Sequence, residues 1–156
     1  MGSFSHSLLQ AWLSHLLFST KRFKVFTELS LDITHLNLSQ FKIKAKEELK
    51  PDVCVYPNTV TPDYKNDKVK VSEMPLSAID IISPKQSETQ ILKKFQVYFA
   101  LGIKSCWLVT PPLELVTVYY PEPDLNNFEP FSEPDEVFDE VINIKIPVKN
   151  IFNMYG

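Results

Sequence analysis

Met74-Pro-Leu-Ser-Ala-Ile-Asp80-Ile-Ile-Ser-Pro84 is the stretch that decides the fold, because it combines an apolar strand pattern with a single carboxylate at its centre. Folding alone gives no reason for an acid at Asp80. Burying an unpaired carboxylate costs several kcal/mol or forces the group to take up a proton. We therefore expect that Asp80 is kept for a cation that needs it.

A second acid, Asp52, lies in a similar setting within Lys50-Pro-Asp52-Val-Cys-Val-Tyr56. Two acids on two short apolar strands, followed by a lysine-bearing helix, indicate divalent-metal and phosphodiester chemistry. Cys54 has the same strand parity as Asp52 and is expected to face the same side. Since no histidine lies close in the sequence, a core cysteine is favoured over a nucleophilic one.

The helix expected over residues 88–101 opens with Ser87-Glu-Thr-Gln90, which matches a capping box. At about 100° per residue, Lys93 points away from the apolar stripe into solvent, whereas Lys94 lies at the border of that stripe. From the border a lysine side chain can reach over the sheet edge toward the two acids. The alternative is a Lys94 that only covers the edge of the core, and it would be preferred if the acids were absent.

The remaining pattern predicts an α/β (α+β) fold, in which helices pack on a sheet, and a single domain over residues 1–156. An apolar stripe from Leu8 to Leu17 predicts a first helix, with Ser5 or Ser7 as its cap. The other expected segments are strands at 23–33, 53–56, 76–82, 106–109, 115–120 and 141–146, a loop or edge strand at 42–50, and a turn or short helix at 148–152.

The charge distribution is uneven, although the net charge is only −3. Residues 122–140 hold eight acids and no Lys or Arg, so the rest of the chain carries all 16 basic residues against 11 of the 19 acids. A mildly basic body could attract a phosphate backbone, and a solvated acidic loop on an ordinary surface is an equally good interpretation.

The chain has no signal-peptide pattern and no apolar run of membrane-spanning length. Its two cysteines lie inside apolar runs and are too few for a disulfide scaffold, which favours a reduced, cytoplasmic compartment. Aromatic and aliphatic residues, Trp12 and Phe18 among them, suggest a homodimer.

Several short motifs follow one another in a fixed order: Pro51-Asp52-Val-Cys-Val, Ile79-Asp80-Ile-Ile-Ser83-Pro84, Lys94-x-x-x-Tyr98, Gly102-Ile103 and Trp107-Leu-Val. In this order and spacing they resemble the restriction endonucleases of the Uma-two type, a branch of the PD-(D/E)XK nuclease superfamily. The resemblance covers most of the chain. It implies a restriction-endonuclease-like core, with a mixed β-sheet flanked by helices.

The resemblance also implies roles for particular groups. Asp52, Asp80 and the backbone carbonyl of Ile81 would bind Mg²⁺, or Mn²⁺ in its place. Lys94 would orient the nucleophile or stabilise the developing negative charge. The implied activity is metal-dependent endonucleolytic hydrolysis of phosphodiester bonds in nucleic acid, with DNA as the expected substrate.

The sequence departs from the family pattern at two positions. Asp80 stands where Glu is usual, and Gln90 stands where an acid is usual. The alternative function is therefore a catalytically inactive module that kept the nuclease fold and binds nucleic acid or a protein partner. Three accessory residues have two interpretations each. Gln90 binds a metal-bound water or only closes the capping box, Glu28 joins the site or forms a cross-sheet ion pair, and His6 contacts phosphate or lies on the surface.

Overall fold

A six-stranded sheet with helices on both faces forms the protein, for which a computed structural model describes residues 2–34, 36 and 48–155. The mixed sheet and its flanking helices confirm the predicted fold class. No helix in these ranges is long and apolar enough to cross a membrane. The elements, in chain order, are α1 (Phe4–Phe18), β1 (Phe23–Thr27), β2 (Leu31–Asp32), β3 (Glu48–Leu49), β4 (Val53–Pro57), β5 (Ser77–Ile81), α2 (Glu88–Ala100), β6 (Ser105–Thr110), a 3₁₀ turn (Pro111–Leu113), β7 (Leu115–Tyr119), β8 (Phe128–Phe131), β9 (Glu136–Asp139), β10 (Ile144–Pro147) and α3 (Val148–Phe152).

The main sheet has the strand order β1-β4-β5-β6-β7-β8. β5 and β6 run parallel, whereas every other neighbouring pair in this sheet is antiparallel. A parallel pair needs a crossover connection, and α2 supplies it. Two further pairs, β9 with β10 and β2 with β3, form small separate sheets. The loop or edge strand predicted at 42–50 lies mostly outside the described residues, and β3 is its end.

Side-chain alternation along β5 decides which face of the sheet carries the acid. Ile79 and Ile81 pack into the apolar core beneath α1. Ala78 belongs to the second core, beneath α2, where Tyr98 is also buried. Because successive strand residues point to opposite faces, Asp80 lies on the α2 face.

The predicted capping box at the start of α2 is confirmed. The Ser87 hydroxyl accepts the Gln90 N–H at 3.2 Å, and the Gln90 side-chain carbonyl accepts the Ser87 N–H at 3.1 Å. The cap predicted for α1 is wrong, because Ser3 rather than Ser5 or Ser7 accepts a backbone N–H of the first turn.

Two of the predicted strands have different limits in the structure. The strand expected at 23–33 breaks at Glu28, whose backbone takes a left-handed conformation with φ of 52°, so that β1 and β2 pair with different partners. The strand expected at 141–146 starts only at Ile144, because Asn143 is left-handed, with φ of 48°, and ends a turn. Hydropathy continues through both breaks and therefore does not reveal them.

The acidic segment predicted as a loop contains two strands and a fully buried acid. β8 is the edge strand of the main sheet, and β9 ends at Asp139. One oxygen of Asp139 accepts the Ser105 hydroxyl at 2.6 Å, the Trp107 indole N–H at 2.7 Å and the Ser77 hydroxyl at 3.5 Å. Its other oxygen accepts the N–H of Val141 at 2.8 Å. These donors offset the cost of burying the carboxylate.

Candidate active site

The ends of β4 and β5 bring the two predicted acids together through reciprocal hydrogen bonds. The backbone N–H of Asp52 donates to Oδ1 of Asp80 at 3.0 Å. The backbone N–H of Ile81 donates to Oδ2 of Asp52 at 2.7 Å. This geometry follows from the antiparallel pairing of β4 with β5, which starts one residue after Asp52, at Val53 opposite Ile79. The acids therefore lie at the same end of the same two strands.

Asp80 is nearly buried, with 6% of its surface exposed. Burial, and second the neighbouring charge of Asp52, raise the pKa of Asp80 to about 7. The N–H received from Asp52 and a 3.4 Å contact from the Tyr98 hydroxyl oppose this rise without cancelling it. The site therefore holds a carboxyl group that a positive charge would stabilise in its ionised form.

Cys54 lies on the same face of the sheet and is fully buried. Burial raises the pKa of its thiol far above the ordinary value, and the charges of Asp80 and Asp52 add to the effect. Such a thiol is a core residue and a poor nucleophile.

Lys94 approaches the acids from the middle of α2. Its positive charge is one of the factors that lower the pKa of Asp80. Within the described part of the chain, Lys94 forms no ion pair at bonding distance, so its ammonium acts on the carboxylate through space. Lys93 is half-buried rather than fully in solvent, which corrects the prediction for that residue.

His6 is buried, with 3% of its surface exposed, which excludes the surface interpretation of this residue. Its Nε2 lies 2.9 Å from Oδ2 of Asp52, in the ion-pair geometry of a histidine and a carboxylate. Gln10, one helical turn later, donates from Nε2 to the backbone carbonyl of Asp52 at 2.8 Å. Gln10 was not predicted, and its i, i+4 spacing from His6 is the signal that could have identified it.

The two remaining accessory residues lie outside the acid pair. Gln90 is exposed, and its side-chain carbonyl is held in the capping box. Glu28 is exposed just beyond β1 and not inside a strand, and it forms no ion pair with another described residue. Its backbone N–H donates to the carbonyl of Asp52 at 3.3 Å, and its Oε2 accepts Gln10 Nε2 at 3.4 Å, so Glu28 borders the site.

The carboxylate oxygens of Asp52 and Asp80 are ligands of the kind that a hard divalent cation prefers. Oδ1 of Asp52 has no hydrogen-bond partner among the described residues. The N–H of Ile81 faces Asp52, and because the N–H and carbonyl of a strand residue point to the same side, we expect the Ile81 carbonyl on that side too. Over residues 2–34, 36 and 48–155 no three His, Cys, Asp or Glu side chains cluster as a metal cage. Mg²⁺ does not require one, because it commonly takes one or two carboxylates, waters and substrate phosphate.

A pocket of about 580 Å³ has His6 in its wall, and His6 is its link to the acids because neither Asp52 nor Asp80 lines it. The start of α1 forms one side, and residues 82–84 after β5 and residues 110–112 at the end of β6 form the other sides. The lining combines hydroxyl groups, such as those of Ser5 and Ser83, with apolar side chains.

Comparisons with known proteins agree with the fold and identify the family. The structure is similar to the crystal structure of a protein from Anabaena variabilis described as a putative nuclease belonging to DUF820, with a TM-score of 0.77 and 22% sequence identity. The match covers 98% of this chain and 83% of that chain, and at this identity it establishes the fold. Comparison with curated proteins gives no match. The family model for Uma2, described as putative restriction endonuclease, matches residues 1–147, and the chain belongs to this family.

Proposed function

We propose that this protein is a metal-dependent nuclease that hydrolyses phosphodiester bonds, with DNA as its substrate. The observation that carries the proposal is the pair of carboxylates at the ends of β4 and β5. Asp80 is nearly buried and has a pKa raised to about 7, and the second carboxylate, Asp52, is hydrogen-bonded beside it. Folding alone would not retain such a pair, and a bound cation would stabilise it.

Each group in the site has a role in this proposal. Asp52, Asp80 and the carbonyl of Ile81 would hold Mg²⁺ or Mn²⁺. A metal bound there would acidify a water and polarise the scissile phosphate. Lys94 would stabilise the negative charge that develops on the phosphate. Its ammonium already lowers the pKa of Asp80, and it forms no direct ion pair with a described residue.

The proposal can be tested by incubating the protein with supercoiled plasmid DNA in Mg²⁺ or Mn²⁺, and in EDTA. We expect nicking only with metal, and a loss of at least about 10²-fold for Asp52→Asn and Asp80→Asn. Asp124→Asn, an exposed acid in the loop before β8, serves as the matched control and should keep full activity. Equal activity in EDTA, or in the two site variants, would contradict the proposal.

The alternative of an inactive binding module has its own distinct result. That alternative predicts that Mn²⁺ raises the melting temperature by binding the folded state, while single-stranded and double-stranded DNA both stay uncut. A protein whose melting temperature does not respond to millimolar Mg²⁺ or Mn²⁺ has no metal site under those conditions.

The homodimer and the cytoplasmic location stay predictions. Phe18 is half exposed on α1 and available for a partner, whereas Trp12 is partly used within the chain, where it donates to the carbonyl of Asn150 at 2.7 Å. Sedimentation equilibrium of the wild type and of Phe18→Glu would test the dimer. A monomeric wild type would contradict it.

A further inference from the structure

α1 contacts the candidate metal ligand Asp52 at two points that lie one helical turn apart. His6 reaches its side chain, with Nε2 2.9 Å from Oδ2, and Gln10 reaches its main chain, with Nε2 2.8 Å from the carbonyl oxygen. Residues four apart on a helix lie above one another on the same face. One face of α1 therefore holds Asp52, the residue that precedes β4, through two hydrogen bonds.

The two carboxylate oxygens of Asp52 differ in their hydrogen bonding. Oδ2 receives both His6 Nε2 and the backbone N–H of Ile81 at 2.7 Å. Oδ1 receives no hydrogen bond from the described residues. Two donors on one oxygen fix the rotation of the carboxylate, so that the other oxygen is held in one direction before any ligand arrives. Fixing a binding group in advance reduces the ordering cost of binding.

The burial of His6 is difficult to explain by packing alone. Its ring is 3% exposed, and its Nδ1 is buried without a hydrogen-bond partner in the described structure. An unsatisfied buried polar atom is unfavourable, and an apolar residue of similar size would avoid that cost. Among the residues that the structure describes, Asp52 is the only polar partner of the ring, so the contact with Asp52 is what a histidine supplies at this position.

We infer that His6 and Gln10 are positioning residues, which hold Asp52 with Oδ1 free and thereby set the affinity of the site for a divalent metal. The inference rests on the proposed metal-dependent function. It reverses the common arrangement in which a carboxylate orients a metal-bound histidine, because here a histidine orients the carboxylate.

The experiment is a calorimetric titration of the full chain with Mn²⁺, without nucleic acid. His6→Gln keeps an N–H donor near the position of Nε2, and His6→Leu keeps the bulk without a donor. We expect His6→Leu to weaken Mn²⁺ binding about 10- to 100-fold and His6→Gln to restore most of the affinity. His15→Leu, on the exposed side of the same helix, is the matched histidine control and should bind like the wild type.

Gln10→Met tests the second contact and does not depend on whether His6→Leu folds. We expect a smaller loss of Mn²⁺ affinity, because Gln10 holds the main chain and not the carboxylate. Thermal melting without metal checks that each variant is folded. If the wild type binds Mn²⁺ and neither His6→Leu nor Gln10→Met weakens it, the positioning inference is wrong and the proposed function stands. If the wild type binds no Mn²⁺, the metal site itself is refuted, and the inference with it.

Discussion

Replacing Asp80 with asparagine should stabilise the metal-free protein at neutral pH while removing its metal site. The folded-state pKa of Asp80 is raised from 3.8 to about 7, so between these values the folded state binds a proton that the unfolded state has lost. Stability therefore falls as pH rises through this window. A shift of about three units at 1.4 kcal/mol per unit corresponds to about 4 kcal/mol, fully expressed above pH 7.

Asp80→Asn does not ionise and keeps an oxygen that can accept the N–H of Asp52. We expect its stability advantage over the wild type to be small near pH 4, to grow with pH and to level off above pH 7, at up to about 4 kcal/mol. Urea unfolding at several pH values in EDTA, followed through the fluorescence of the buried Trp107, measures this difference. Asp124→Asn should show no such trend. A variant that is less stable than the wild type at pH 8 would show that the Asp80 carboxylate supports the fold, which would refute the reasoning.

Three further predictions address the helix lysine, the second buried acid and the thiols. Lys94→Ala should reduce cleavage by about 10²-fold or more, whereas Lys93→Ala should have little effect, and equal losses in a nicking assay would refute the role of Lys94. Asp139→Asn should lower the free energy of unfolding by about 3 kcal/mol or more in urea titrations, because an amide N–H₂ would face donors that now share one carboxylate oxygen. Cys54 and Cys106 should resist iodoacetamide in the folded protein at pH 8, since burial raises the pKa of both thiols; rapid labelling without unfolding would contradict their burial.

Local patterns were sufficient to predict the parts of this protein that local interactions determine. The capping box of α2 needs only residues three apart, and its prediction is confirmed. The position of Asp80 within an apolar strand likewise follows from alternation along a few residues.

Predictions failed or stayed open where a residue's surroundings come from distant segments. The sequence left His6 between a phosphate contact and a surface position, because its partner Asp52 lies 46 residues away in the sequence. Asp139 resembles its solvated acidic neighbours, and its donors Ser105 and Trp107 lie more than 30 residues earlier. The composition of residues 122–140 predicts a solvated loop, because the hydrogen-bond donors that allow Asp139 to be buried lie in other strands.

The hydrogen bonds around Asp139 also favour one register of the parallel strands β5 and β6. Ser77 and Ser105 are direct partners in the β5–β6 ladder, their hydroxyls contact each other, and both donate to Asp139. A slip of β5 by one residue would turn the Ser77 hydroxyl to the opposite face, away from Ser105 and Asp139. Asp80 lies three residues after Ser77 on the same strand. Asp139, which takes no part in the proposed chemistry, thus favours one register of β5 against β6, and with it one position of Asp80 near the end of β5.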